Sequence, residues 1–326
     1  MILRVSVVVA TYGRPNHIRT CLTRLSELIT APFEVVVVDG SPDTLTRDVV
    51  AEFPDVAYLR NDLGRGTTPE SRQIGFAATT GEVIAFVDDD AFVEPEWLDE
   101  LVAGYYDSAI VGVGGRALNG IEGEDTRGLD EIGRLLPDGR LTGNFAADPG
   151  RIVDVDHLLG ANMSFLRSAI DAIGGIRGNY PGTCLCEESD ISLRLARAGG
   201  RLVFAPRAIV HHVAAPYGIG GRRFDRRWLY YSRRNHIVML ARVFGWTDVR
   251  IPRYVGATLR GQSTYLRLAG QRLLARDPDQ PDGSLRSRAR FIGALTRSGA
   301  ELVGLAAGFP AAFFARGQDR RGSGVR

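Results

Sequence analysis

Three consecutive carboxylates, Asp88-Asp89-Asp90, follow the apolar run Val83-Ile84-Ala85-Phe86-Val87. Carboxylates this close repel one another unless a cation sits among them. Hard divalent ions take oxygen ligands and commonly share them with a phosphate. The other reading is an acidic N-cap for a helix predicted over 95–106, since Asp is favoured there. Three acids exceed what a cap needs, and Pro95 already suits a first helical turn. A second acidic group, Glu187-Glu188-Ser189-Asp190, opens another predicted helix. Such acids complement the helix dipole by about 0.3–1 kcal/mol each. One of them could instead act as general base toward a hydroxyl nucleophile. Asp39 ends a second apolar run before Gly40-Ser41, where Asp either starts a turn or faces a ligand. Thr11 and Tyr12 end the first run, and His211-His212 are either metal ligands or half-buried strand residues.

The elements that must carry these residues alternate along the chain. Apolar runs rich in β-branched residues at 5–10 and 33–38 predict strands buried on both faces, and 56–60, 83–87 and 110–113 predict further strands. Helical spacing fills 15–29, 44–53, 68–80 and 95–106. Strands separated by helices of this length predict a parallel, doubly wound α/β sheet, whose ligands bind at the carboxyl ends of the strands. Thr11, Asp39 and Asp88 all fall at such ends. No G-x-G-x-x-G follows the first strand and no P-loop motif occurs, which argues against dinucleotide and P-loop sites. Residues 119–150 predict a long loop, mobile over the site, and 177–186 a second loop. Strands resume at 152–155, 161–166, 202–205 and 209–212, with helices at 168–173 and 191–198.

The chain has 326 residues, 44% hydrophobic and 24% charged, which excludes disordered, collagenous and disulfide-scaffold classes. Cys21, Cys184 and Cys186 are too few for a disulfide framework. Every basic side chain besides His is Arg. Residues 216–326 hold 21 of them against 7 acids, net +14, so residues 1–215 carry −12. Two domains are expected, an acidic body at 1–221 and a basic helical region at 222–326. Arg253, Arg260 and Arg267 recur every seven residues and so share one helix face. The basic region reads as solvated accessory helices or as a contact with an anionic membrane. No nucleic-acid module is visible. The apolar run at 302–315 is broken by Gly304, Gly308 and Pro310, so no transmembrane helix is expected. The run at 5–10 is too short for a signal segment. The expected location is the cytoplasm, with the inner membrane face as a possible attachment.

In order and spacing, these pieces resemble glycosyltransferase family 2, inverting enzymes of the GT-A fold, and within it the rhamnosyltransferase-like members. The resemblance covers about 4–236. It rests on Val7 to Pro15, Val37-Val38-Asp39-Gly40-Ser41, Arg72-Gln73-Ile74-Gly75 and Gly81 to Asp90. It continues through Gly160-Ala161-Asn162-Met163-Ser164-Phe165, Gly174-Gly175, Glu187 to Arg194, and Pro206 with His211. It implies a Rossmann-like, doubly wound mixed sheet flanked by helices, with an Arg-rich helical C-terminal extension. It implies transfer of a hexose or deoxyhexose from a nucleoside-diphosphate sugar to an acceptor hydroxyl, on a lipid-linked glycan or a small molecule, with Mg²⁺ or Mn²⁺. Thr11, Tyr12, Arg14, Asp39 and Arg72 would hold the nucleotide. Asp88, Asp89 and Asp90 match the D-x-D element, with Asp88, Asp90 and His211 toward the metal. Glu188 stands where the family commonly has a catalytic Asp, with Glu187 and Asp190 as alternatives and Asn162 in support. A processive polysaccharide synthase is the neighbouring reading, but Phe224-Asp225-Arg226-Arg227-Trp228 lacks the Gln of the Q-x-x-R-W motif. A non-catalytic sugar-nucleotide-binding protein is the reading from another class.

Overall fold

The computed structural model describes residues 3–213, 225–274 and 283–322. The chain divides into two compact units, one of 1–136 with 141–220, the other of 137–140 with 221–326. Phe224 and the expected domain boundary at 221/222 lie outside the described residues.

The first unit is a nine-stranded mixed sheet in the order β3-β2-β1-β4-β8-β6-β9-β5, with β7 added beside β9. Its parallel half joins β1 (Val5–Thr11), β2 (Glu34–Asp39), β3 (Val56–Arg60) and β4 (Val83–Asp88). The crossovers are α1 (Pro15–Ser26), α2 (Leu45–Val50) and α3 (Thr68–Ala78). Val5, Val7 and Val9 of β1 pack in one core cluster and Val8 in another, so both faces of the strand are buried. The α1 helix buries Ile18, Cys21, Leu22 and Leu25, the one-sided spacing that the sequence displays.

Beyond β4 the chain runs through β5 (Ala91–Val93), α4 (Trp97–Ala103), β6 (Ile110–Leu118), β7 (Val153–Asp154), β8 (Asn162–Leu166), α5 (Arg167–Ala172), α6 (Glu187–Arg197) and β9 (Arg201–His212). Three expectations change here. The strand β5 was not visible in the sequence, because three residues carry no measurable period. The predicted strands 202–205 and 209–212 are one strand, and its register against β6 shifts between Gly115 and Arg116. That irregularity falls beside Pro206, which has no N–H to give a ladder. The loop at 119–150 is no free lid: Ile132, Phe145 and Ala147 are buried in the core, and the Ala117 N–H donates to the Phe145 carbonyl.

The second unit holds α7 (Arg226–Phe244), α8 (Arg250–Leu274) and α9 (Gly283–Gly322). Asp225 caps α7 by accepting from the Trp228 N–H at 2.7 Å. Arg253, Arg260 and Arg267 are all exposed on α8. The helix α9 continues through Gly304, Gly308 and Pro310. Contrary to the expectation of a broken run, Ser287–Arg321 is long and apolar enough to cross a membrane by length and composition.

Candidate active site

The parallel pairing sets the strand ends side by side: Thr11 lies opposite Asp39, and Ala10 opposite Asp88. The chain then turns through Asp89 and Asp90 into β5. The α4 helix starts only at Trp97, so the triple acid does not cap it.

The three acids have different surroundings. Asp88 is half-buried, and its Oδ1 accepts from Arg72 Nη2 at 2.9 Å. Asp89 is buried and accepts from Thr11 Oγ1 at 2.7 Å and Arg14 Nη1 at 2.8 Å. Burial pushes its carboxyl up to about 7; Arg14 and Thr11 work against the shift, and Asp90 and Asp88 add to it. Asp90 is also buried, 3.3 Å from Arg14 and 3.4 Å from His212 Nε2. Asp88, Asp90 and His212 each offer a ligand atom, all within 4.8 Å of one another. Two carboxylates and an imidazole fit Mn²⁺ better than Mg²⁺, which prefers oxygen ligands and sheds water reluctantly.

The histidine in this group is not the expected one. Ala91 lies opposite His212 and Phe92 opposite His211 in the antiparallel pairing of β5 with β9. Successive strand residues face opposite sides. His212 therefore meets Asp90, while His211 is exposed and 2.9 Å from Glu94.

At the start of α6 the acids again divide. Asp190 is buried, with one oxygen 2.6 Å from Tyr180 Oη and the other 2.6 Å from Arg194 Nε. Arg194 in turn donates to the Ile173 and Gly175 carbonyls. Asp190 thus fastens the start of α6 to Tyr180 and Arg194. Glu187 is buried in an ion pair with Arg72. Glu188 is half-buried. Burial, with Asp88 adding, pushes it up to about 6, opposed by backbone N–H groups and Arg72. A carboxylate of that basicity is a better proton acceptor than an ordinary one. Cys184 and Cys186, just before the helix, both have left-handed backbone, with φ of 57° and 72°. Non-glycine residues adopt it only under constraint, and such strain collects at functional sites.

Other expected contacts are spent within the protein. Arg72 is buried and joins Asp88, the Gly160 carbonyl and Glu187, so it holds these groups together. Thr11 and Arg14 hold Asp89. Asp39 is fully buried and accepts from the Ser41 N–H at 2.8 Å and Tyr58 Oη at 3.0 Å. Asn162 is buried, accepting from Trp97 Nε1 and donating to the Arg116 and Ala208 carbonyls, and so fastens β8. Tyr12 stays half-buried at the end of β1.

The profile of glycosyl transferase family 2 matches residues 6–174. A glucosyl-dolichyl phosphate glucuronosyltransferase of Haloferax volcanii is 28% identical over 260 residues, 71% of this chain and 77% of that protein. A pre-mycofactocin glycosyltransferase of Mycobacterium tuberculosis is 28% identical over 209 residues, 64% of this chain but 42% of its own length. Among solved structures, the mannosyltransferase PcManGT of Pyrobaculum calidifontis, in complex with GDP-Man and Mn²⁺, superposes with a TM-score of 0.55 at 16% identity. That match covers 98% of this chain and 88% of the other. GalNAc-T7 with UDP, GalNAc and Mn²⁺ gives a TM-score of 0.56 at 17% identity, covering 89% of this chain and 55% of its own. Both likenesses are of fold: a GT-A-like mixed sheet flanked by helices.

Proposed function

The chain belongs to glycosyl transferase family 2, and from that premise we propose a metal-dependent, inverting transfer of one sugar from a nucleoside diphosphate to an acceptor hydroxyl. The observation that carries this reading is the convergence of Asp88, Asp90 and His212 at the strand ends, with Glu188 tied to them through Arg72 and Glu187.

Asp88, Asp90 and His212 would hold the cation, which when bound neutralises charge on the leaving diphosphate. Glu188 takes the proton of the acceptor hydroxyl as that oxygen attacks the anomeric carbon. One carboxylate base suffices for a single displacement with inversion, unlike the paired carboxylates of a glycoside hydrolase. Thr11 and Arg14 keep Asp89 in place between the two metal-facing acids. Arg72 fixes Asp88 relative to the start of α6, so that donor and base share one frame.

Mn²⁺ in the PcManGT and GalNAc-T7 structures supports the cation. The dolichyl phosphate in the name of the Haloferax relative supports a lipid-linked acceptor. The donor sugar in this reading is a hexose or deoxyhexose, the rhamnose type included. The site of action is the cytoplasm at the inner membrane face. A processive synthase is disfavoured, because Phe224 stands where the Q-x-x-R-W motif has Gln. Titration calorimetry with UDP, GDP and dTDP sugars, with and without Mn²⁺, tests the proposal. One donor should bind in a metal-dependent way and lose that dependence in Asp90→Ala. Equal metal dependence in the variant overturns the assignment.

A further inference from the structure

The α9 helix reverses the usual distribution of side-chain size. Its buried face carries Gly304, Gly308, Ala312 and Ala315, with Leu305 the one large apolar residue among them. A Cβ on Gly304 would come within 2.2 Å of the Tyr230 carbonyl oxygen of α7, and one on Gly308 within 2.6 Å of Ile237 Cβ. The outward face carries the bulk: Ile292, Val303, Phe313 and Phe314 are 59%, 60%, 70% and 68% exposed. A helix surrounded by water buries its large apolar residues and shows polar ones. Small residues inward and large apolar residues outward suit packing in hydrocarbon surroundings.

Charge follows the same plan. Between Arg297 and Arg316 the single ionisable residue is Glu301. It is buried, 2.7 Å from Arg233 Nη2 and 2.8 Å from Gln262 Nε2. The outward surface of that stretch is therefore uncharged over about 27 Å, at 1.5 Å per residue. Exposed arginines flank it, Arg288, Arg290 and Arg297 before and Arg320 and Arg321 after. Trp246 stacks on Phe309 with ring centroids 6.2 Å apart and is itself exposed, an aromatic of the kind that favours the headgroup level.

We propose that the outer face of α9, from Ile292 to Phe314, docks on an anionic bilayer, lying along the boundary between headgroups and acyl chains with its flanking arginines on lipid phosphates. Spanning is disfavoured. Both ends are basic, so neither is marked for the far side. The α7 helix packed along α9 would also carry Arg233 and Arg242 into hydrocarbon, at high cost. This inference is independent of the donor chemistry.

Flotation of the purified full chain with phosphatidylcholine vesicles, with and without phosphatidylglycerol, tests it. The chain should float with the anionic vesicles. Phe313→Ser combined with Phe314→Ser should weaken binding about tenfold or more. Arg320→Gln with Arg321→Gln should weaken it about fivefold or more and flatten its salt dependence. Because both pairs are exposed, melting temperature and metal-dependent nucleotide binding should stay at the wild-type level. In the unaltered chain, brominated lipid should quench tryptophan emission, and Trp246→Phe should remove that quenching. Absence of flotation, or flotation and quenching indifferent to these substitutions, overturns the proposal. So does a dimer that the serine pair splits without any vesicle binding, since a second copy would then cover the face.

Discussion

Glu188 is the acid at the start of α6 that keeps both access and basicity, while Glu187 is paired with Arg72 and Asp190 with Tyr180 and Arg194. Glu188→Gln should lower transfer about 10²-fold or more with donor affinity nearly unchanged, as initial rates and calorimetry would separate. Its basic form is the active one, so the rate should fall as pH drops through the pKa of this group. A bound cation beside Asp88 removes the repulsion that helps raise Glu188 to about 6, so the acid limb should lie at or below that value. His212→Ala should raise the Mn²⁺ concentration for half-maximal activity tenfold or more, whereas His211→Ala should change it less than twofold. The chemistry of the site was legible in residue types: the triple acid after a strand and the acids opening a helix. The choice between His211 and His212 was not. Adjacent strand residues differ only in the face they present, and the face is set by the pairing with β5, an element too short to leave a pattern.

At the level of elements, Arg72 brings the end of β4, the carbonyl of Gly160 and the start of α6 onto one guanidinium. Removing one member of a buried ion pair strands the other charge, at about 3–5 kcal/mol. Arg72→Met should cost that much in urea denaturation. Adding Glu187→Met should recover most of the stability, because the fully buried carboxylate is then gone and the remaining one, Asp88, is only half-buried. Metal affinity should stay low in the double variant, since Asp88 still lacks its holder. If metal affinity returned with stability, Arg72 would be a packing residue without a positioning role. The family resemblance placed Arg72 near the nucleotide, but its burial and its bonds to Asp88, Gly160 and Glu187 could not be read from the sequence, because charge type is legible there and burial is not. The parallel half of the sheet was legible for the opposite reason. Strands buried on both faces read as mainly apolar runs rich in β-branched residues rather than as alternating ones, and β1, β2 and β4 do.

For the whole molecule, the division of charge into an acidic body and a basic C-terminal region was a property of composition. The outward apolar face of α9 was not, because Gly and Pro inside a run read as interruptions until the helix is seen to pass through them. If α9 docks on lipid, anionic vesicles should raise transfer to a lipid-linked acceptor fivefold or more by concentrating both on one surface. Hydrolysis of a soluble donor should change less than twofold, which radiolabelled donor would measure in both reactions. The second unit also draws residues from outside its own stretch of chain. Residues 137–140 count among its members, where the Gly139 carbonyl accepts from His236 Nε2 at 2.7 Å and Arg253 Nη1 donates to the Pro137 carbonyl. The C-terminal region is therefore no cassette. A chimera that joins this catalytic body to a relative's helices at residue 221 would confront the new helices with a foreign tetrapeptide. Recombination between members of the family would have to move 137–140 together with everything after 221.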